Sequence, residues 1–310
     1  MYRKGFNVMI DCQSRKCGDD PVAIKKFEQD QKEFEEWIEE CQRKYDMQFK
    51  RNGMVAFFDI LGYRQMATHL AENTLRDVMM TVETVTEKAK STLSEEDGRG
   101  DGGRYGTLFT SRFDDIESTV ISDSMIFHQR FSENQEPQSQ GITNEDFGLL
   151  RKFEALNFIR FCRRIFSDLM GAKLPIRGAL AAGEYYWNKK TMFAGRSLIE
   201  AHDLSERLNC AGVVLCESMT CEVDEALKKG RWPELIRGIA GPMDVPVKAE
   251  EQKPLYVLCP DQWLAQDGRN IETWHREVFT AHGGCLRGAV LTKFNNTNAL
   301  MQNAVKSLIQ

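Results

Sequence analysis

Met54-Val55-Ala56-Phe57-Phe58-Asp59-Ile60-Leu61-Gly62-Tyr63 is an apolar run with one carboxylate inside it. Its length, its aromatic and β-branched residues and the glycine near its end predict a buried strand that runs into a turn. A second such run, Thr119-Val120-Ile121-Ser122-Asp123-Ser124-Met125-Ile126-Phe127, also carries one aspartate. A buried carboxylate is costly unless its charge is balanced. Two of them on neighbouring strands repel each other, and a divalent cation relieves both problems. Hard oxygen ligands suit magnesium or manganese, with waters and substrate phosphates completing the shell. The pair therefore points to metal-dependent phosphate chemistry. Read singly, each aspartate has a plainer explanation. Asp59 suits the cap of a helix starting near Gly62, and Asp123 suits a Ser122-Asp123-Ser124 hairpin turn.

Further segments follow in a recognisable order. Leu174-Pro175-Ile176-Arg177-Gly178-Ala179-Leu180-Ala181-Ala182-Gly183-Glu184 reads as a strand. A turn at Gly195, a helix over about 197–208 and the strand Gly212-Val213-Val214-Leu215-Cys216 come next. Val245-Pro246-Val247-Lys248, with Pro254-Leu255-Tyr256-Val257-Leu258, reads as a closing hairpin. Together with Phe58-Asp59-Ile60-Leu61-Gly62-Tyr63 and Ile121-Ser122-Asp123-Ser124, this set resembles the catalytic domain of class III nucleotidyl cyclases over roughly residues 52–260. The resemblance implies an α+β fold of the ferredoxin-like, palm type: a mixed, mainly antiparallel sheet with helices packed on it. An irregular arm (1–20) and a helix (21–51) would precede that domain, and a helical extension (261–310) would follow it.

The resemblance also implies a site. Asp59 and Asp123, with the Ile60 carbonyl, would hold two divalent cations, Mg2+ or Mn2+, about 3.5–4 Å apart. Backbone amides of Leu61, Gly62 and Tyr63 would meet the substrate phosphates at a helix N-terminus. Lys248 is the expected triphosphate lysine, or else a solvated hairpin lysine. Arg177 is expected either to reach phosphate or to be a paired structural arginine. Members of the family share their active sites between two chains, so a head-to-tail homodimer is implied.

Departures from the family pattern bear on the substrate. Thr119 stands four residues before the second aspartate, where purine cyclases carry a lysine or glutamate. Ile199 and Asp203 stand where they carry a transition-state asparagine and arginine. Arg196 is the candidate replacement for that arginine. Tyr63 and Thr119 are candidates for reading the base, through a ring and a neutral hydroxyl. Compact cyclases lacking the purine set resemble the bacterial pyrimidine cyclases of the Pycsar anti-phage system. The implied activity is formation of 3′,5′-cyclic UMP or CMP from UTP or CTP, read by a downstream cyclic-nucleotide effector. Alternatives are an adenylate or guanylate cyclase, a degenerate domain that binds nucleotide without turnover, and a polymerase-palm relative.

Bulk properties fit that reading. The 310 residues are 42% hydrophobic and 28% charged, ordinary for a globular protein. A formal net charge of -5 gives no reason to expect a nucleic-acid partner. No apolar stretch reaches membrane-spanning length, and Met1-Tyr2-Arg3-Lys4 opens no signal peptide, so a cytoplasmic location is expected. Nine scattered cysteines lack zinc-ligand spacing and read as reduced thiols. His128 reads as a core residue, and His202 with Asp203 does not make a metal site.

Between the two aspartate runs, a long helix (63–92) and a glycine-rich loop (95–106) are expected. No Gly-Lys-Ser/Thr follows those glycines, so they do not make a P-loop. A helix from Asp146 to about Met170 carries Phe158, Phe161, Ile165, Phe166 and Leu169 at helical spacing, with Arg160, Arg163 and Arg164 on its other face. Another helix spans about 218–230, and a final one lies near Asn298–Leu308.

Overall fold

The computed structural model describes residues 32, 50–63, 66, 72–98, 113–132, 144–188, 192–230, 232–248, 254–264, 271–281 and 285–309. The arm expected over 1–20 and most of the helix expected over 21–51 lie outside the described residues. The chain divides into two compact units. One holds residues 1–50 and 186–191; among them Lys32 is helical, and Lys50 and Tyr186–Asn188 are in strands. The other, 51–185 with 192–310, carries everything below.

The strand predicted from residues 54–61 is β1, Lys50–Ile60. Met54, Val55, Ala56 and Phe58 are wholly buried. Both faces of β1 are covered, so its apolar residues run on without alternation. After it come α1 (Glu72–Gly98), a 3-10 turn at Phe113–Asp115, β2 (Glu117–Ile121), β3 (Ser124–Arg130) and α2 (Asn144–Gly171). Then follow β4 (Ile176–Asn188), β5 (Met192–Gly195), α3 (Arg196–Arg207), β6 (Gly212–Leu215) and α4 (Glu217–Lys229). The chain closes with α5 (Pro233–Ile236), β7 (Ile239–Met243), β8 (Leu255–Leu258), α6 (Asp261–Leu264), α7 (Ile271–Thr280) and α8 (Gly288–Ile309).

The strands form one mixed sheet in the order β2-β3-β1-β4-β6-β8-β7, with β5 paired to β4. Pairings β1–β3, β2–β3, β6–β8 and β7–β8 are antiparallel, and β4–β6 is parallel. The fold is therefore α+β with a mainly antiparallel sheet and packed helices, as expected. Helix α2 packs against α1, α4 and α5. Its Phe158, Phe161, Ile165, Phe166 and Leu169 are fully buried. Its arginines pair outward: Arg160 with Glu96, Arg163 with Asp261, Arg164 with Asp168. The helical period thus separates an apolar face from a charged one.

Gly178 sets the approach of β4 to β1. A methyl group there would lie 2.3 Å from Phe58 Cδ1 and 2.8 Å from the Phe57 carbonyl. Only a residue without Cβ lets the two strands close at this point.

Three expectations are corrected. The closing antiparallel pair is β7 with β8, not Val245–Lys248 with 254–258. Pro246 has no N–H to give a ladder, and its segment is stitched to the end of α3 instead. Asn209 N–H donates to the Pro246 carbonyl at 2.9 Å, and Lys248 N–H to that of Arg207 at 2.8 Å. The helix expected to end at 92 continues to Gly98. The last helix begins at Gly288, ten residues earlier than expected. Residues 292–298 include three asparagines and two threonines of weak helix propensity, and burial of Phe294 and Thr297 overrides it.

Candidate active site

The two aspartates meet because β1 and β3 are antiparallel neighbours. Asp59 pairs in register with Ser124, so the loop residue Asp123 lies beside it. Ile121 faces Ser124 across a two-residue turn. Ser122 takes φ 59°, the positive value that such tight hairpins require at their first loop position. Ile60 N–H donates to the Asp123 carbonyl at 3.0 Å, which fixes the turn on the end of β1. Beyond Ile60 the backbone turns at Gly62, whose φ is 84°. Met66 N–H then donates to the Gly62 carbonyl at 3.0 Å, closing the first helical turn.

Asp59, Ile60, Leu61, Gly62, Tyr63 and Asp123 line a cavity of about 350 Å³. Asp59 is 9% exposed, and Asp123 is half-buried. Arg177 Nε donates to Asp59 Oδ2 at 2.8 Å. The same guanidinium donates through Nη1 to the Glu206 carbonyl at 3.2 Å and through Nη2 to the Glu206 carboxylate. Burial pushes the Asp59 carboxyl above the usual carboxylate range. Arg177 pulls it back, and the Asp123 and Glu206 carboxylates push it up again.

The far wall of the cavity comes from the C-terminal helices. Val278 and Phe279 of α7, with Ala289, Val290 and Lys293 of α8, face the aspartates. Sequence reasoning missed these residues. One signal was present: Lys293 is the only charged residue between Gly288 and Val305.

The other candidates lie elsewhere. Lys248 is exposed, and its ammonium donates to the Glu206 carbonyl at 2.6 Å. Thr119 sits half-buried in β2 opposite Ile126. Arg196 is exposed at the first position of α3. None of these three lines the cavity. The Leu61 amide, expected at the phosphates, is committed: it donates to the Pro175 carbonyl at 2.8 Å. Gly62 and Tyr63 retain the phosphate role as candidates. Ile199 is 60% exposed, and Asp203 lies 3.2 Å from His202 on the surface.

The donor set fits a hard divalent cation. Two carboxylates face one cavity next to the loop carbonyls of β1. Among the described residues no group of three or more His, Cys, Asp and Glu side chains is arranged for a metal. An ion here would complete its shell with water and phosphate oxygens, as magnesium commonly does. Among the described residues no cysteine lines the cavity, and burial pushes the Cys210 and Cys259 thiols up to about 12 and those of Cys162 and Cys216 also upward.

No family profile and no curated protein matches the sequence. Solved structures with some likeness include the catalytic core of a rhodopsin-guanylyl cyclase with converted specificity, in complex with ATPalphaS. It is 12% identical, covers 68% of this chain and 97% of that one, and has a TM-score of 0.39. The monomeric guanylyl cyclase domain of the RhoGC fusion protein from the aquatic fungus Blastocladiella emersonii is 11% identical. It covers 67% of this chain and 95% of that one, with a TM-score of 0.38. The guanylyl cyclase Cya2 is 9% identical, covering 67% and 90%, with a TM-score of 0.33. At such scores these likenesses carry no functional conclusion. Among the described residues no helix is long and apolar enough to cross a membrane.

Proposed function

We propose that the protein is a nucleotidyl cyclase that converts UTP or CTP to the 3′,5′-cyclic monophosphate and pyrophosphate. The observation that carries this reading is the facing of Asp59 and Asp123 into one cavity beside the Gly62 turn. The order of motifs along residues 52–260 supports it independently.

In this reading Asp59 and Asp123 would hold two divalent cations, Mg2+ or Mn2+, with the Ile60 carbonyl as a further ligand. When bound, the cations would acidify the ribose 3′-hydroxyl and neutralise the triphosphate. The 3′-oxygen attacks the α-phosphorus, the bond to the β-phosphate bridging oxygen breaks, and the hydroxyl proton passes to water. The chain's own residues orient the substrate. The Gly62 and Tyr63 amides meet phosphate oxygens at the start of a helix. Gly62 leaves room, since nothing lies within 4 Å of where its Cβ would be. Arg177 balances the charge of Asp59, and Lys248 and Arg196 are candidates for closing on phosphate. Tyr63 and Thr119 are candidates for the pyrimidine.

The active form is a head-to-tail homodimer in the cytoplasm, making a second messenger for an effector in anti-phage defence. Ile121 (59% exposed) on the hairpin and Ile199 (60%) on α3 are apolar side chains that a second copy would bury in this arrangement. A second reading, nucleotide binding without turnover, is favoured by Ile199 and Asp203 standing where an asparagine and arginine are needed.

Purified protein incubated separately with ATP, GTP, CTP and UTP, with Mn2+ or Mg2+, tests these readings by mass spectrometry. A cyclic pyrimidine monophosphate is expected. A cyclic purine product would discard the pyrimidine assignment and keep the chemistry. Binding of nucleotide with no product would favour the second reading.

A further inference from the structure

We propose that Lys293 of α8 is a polyphosphate-binding residue, supplied to the aspartate cavity by the C-terminal extension of the same chain. The proposal rests on the cyclase reading for the identity of the ligand, a nucleoside triphosphate, but not for the existence of an anion site. Lys293 lies outside the segment 52–260 that resembles the cyclases.

The first argument is charge placement. Lys293 lines the same cavity as Asp59, Asp123 and the Gly62 turn. It is half-buried, and among the described residues its ammonium makes no hydrogen bond and no ion pair. Other half-buried lysines are matched: Lys152 with Glu225, Lys173 with Glu277, Lys90 with Glu87. The two cations whose charge acts on Lys293 already have protein partners. Arg177 is shared between Asp59 and Glu206, and Lys248 is held by the Glu206 carbonyl. Lys293 is thus a cation at the cavity wall still able to take an anionic ligand. A half-buried ammonium with no protein partner is disfavoured unless something else satisfies it. A phosphate bridging it to cations held by Asp59 and Asp123 would do so.

The second argument is positioning. The turn of α8 bearing Lys293 is fixed to the loop before β6. Thr297 Oγ1 donates to the Lys293 carbonyl at 2.7 Å and accepts from Ala211 N–H at 2.8 Å. Asn296 Nδ2 donates to the Asn209 carbonyl at 2.8 Å. Phe294 is 2% exposed and packs edge-on against Phe279. The backbone that presents the ammonium to the cavity is thus anchored, which lowers the ordering cost of binding.

The test is direct binding of inorganic tripolyphosphate with Mg2+ by titration calorimetry, on wild type, Lys293→Met and Lys293→Arg. Circular dichroism melting checks the fold, and Mn2+ binding without polyphosphate is followed by electron paramagnetic resonance. Loss of a charge-assisted contact should weaken tripolyphosphate binding by about tenfold or more in Lys293→Met. Lys293→Arg should stay close to wild type, with unchanged melting and Mn2+ binding in both. Equal tripolyphosphate affinity in wild type and Lys293→Met would overturn the proposal, as would no binding by wild type. So would tighter Mn2+ binding by Lys293→Met at unchanged tripolyphosphate affinity, which would make Lys293 a mere stand-in for the metal. Lysine-dependent binding in a protein that makes no cyclic product would uphold this site while refuting the cyclase reading.

Discussion

Arg177 and Asp59 form a buried ion pair across β4 and β1, with Arg177 Nε 2.8 Å from Asp59 Oδ2 and both side chains nearly inaccessible. A guanidinium therefore sits on the carboxylate that the proposed mechanism gives to a metal. Cation and arginine must share Asp59, or the arginine must lean towards Glu206, which it already contacts.

Removing one member of a buried pair strands the other charge. Arg177→Met should destabilise the protein by on the order of 3 kcal/mol in chemical denaturation. Mn2+ should recover part of the loss by taking the arginine's place beside Asp59. Unchanged stability would mean that Asp59 needs no cation and would remove the basis of the metal assignment.

The C-terminal helices are joined by a buried hydrogen-bond relay. Trp263 Nε1 donates to His275 Nε2 at 2.9 Å, and His275 Nδ1 lies 2.5 Å from the Asn298 amide oxygen. This fixes a neutral imidazole with its proton on Nδ1. Burial lowers the His275 pKa to about 4, against a weaker upward pull from Asn298. Between pH about 4 and 6.5 the unfolded chain binds a proton at this site that the native one does not. Stability should therefore be complete above pH 6.5 and fall as the pH drops towards 4. His275→Ala should lose about 2 kcal/mol at pH 7.5 and much of that acid dependence. Identical urea midpoints for wild type at pH 7.5 and 5 would contradict this.

Two glycines should respond differently to alanine. Gly178→Ala places a methyl group inside the van der Waals radius of Phe58 and should cost roughly 1–3 kcal/mol or more. Gly62→Ala meets no atom but must hold φ 84°, a strain of about 1–2 kcal/mol. Thermal melts that rank Gly62→Ala as the more damaging would argue against the β1–β4 contact.

Ile199 offers a way to probe assembly without touching the cavity. Ile199→Glu should shift the species seen in sedimentation velocity from dimer to monomer and abolish turnover, leaving the melting temperature nearly unaltered. A monomeric wild type with full turnover would remove the shared-site arrangement.

Much of this was legible in the sequence because it is local. The apolar run of β1 and the Ser122-Asp123-Ser124 turn are each set by neighbours a few residues away. The closing strand was misplaced because Val245–Lys248 and Ile239–Met243 both look extended. Proline chemistry and contacts with α3 decide between them. Glu206 and Lys293 escaped notice because their roles depend on packing between distant segments. The absence of any other charge from Gly288 to Val305 was the available clue, and its meaning emerges only once α8 faces the cavity.

Asp123 gives the cleanest test of the whole account. Its backbone closes the hairpin, and among the described residues its carboxylate has no hydrogen-bond partner whose loss would unfold the protein. Wild type and Asp123→Asn should be compared for Mn2+-dependent formation of cyclic UMP and cyclic CMP, with melting temperatures measured alongside. The account predicts cyclic pyrimidine nucleotide from wild type and a loss of at least about 100-fold in Asp123→Asn at unchanged melting temperature, the scale expected when transition-state charge stabilisation is removed. Full turnover by Asp123→Asn would contradict it.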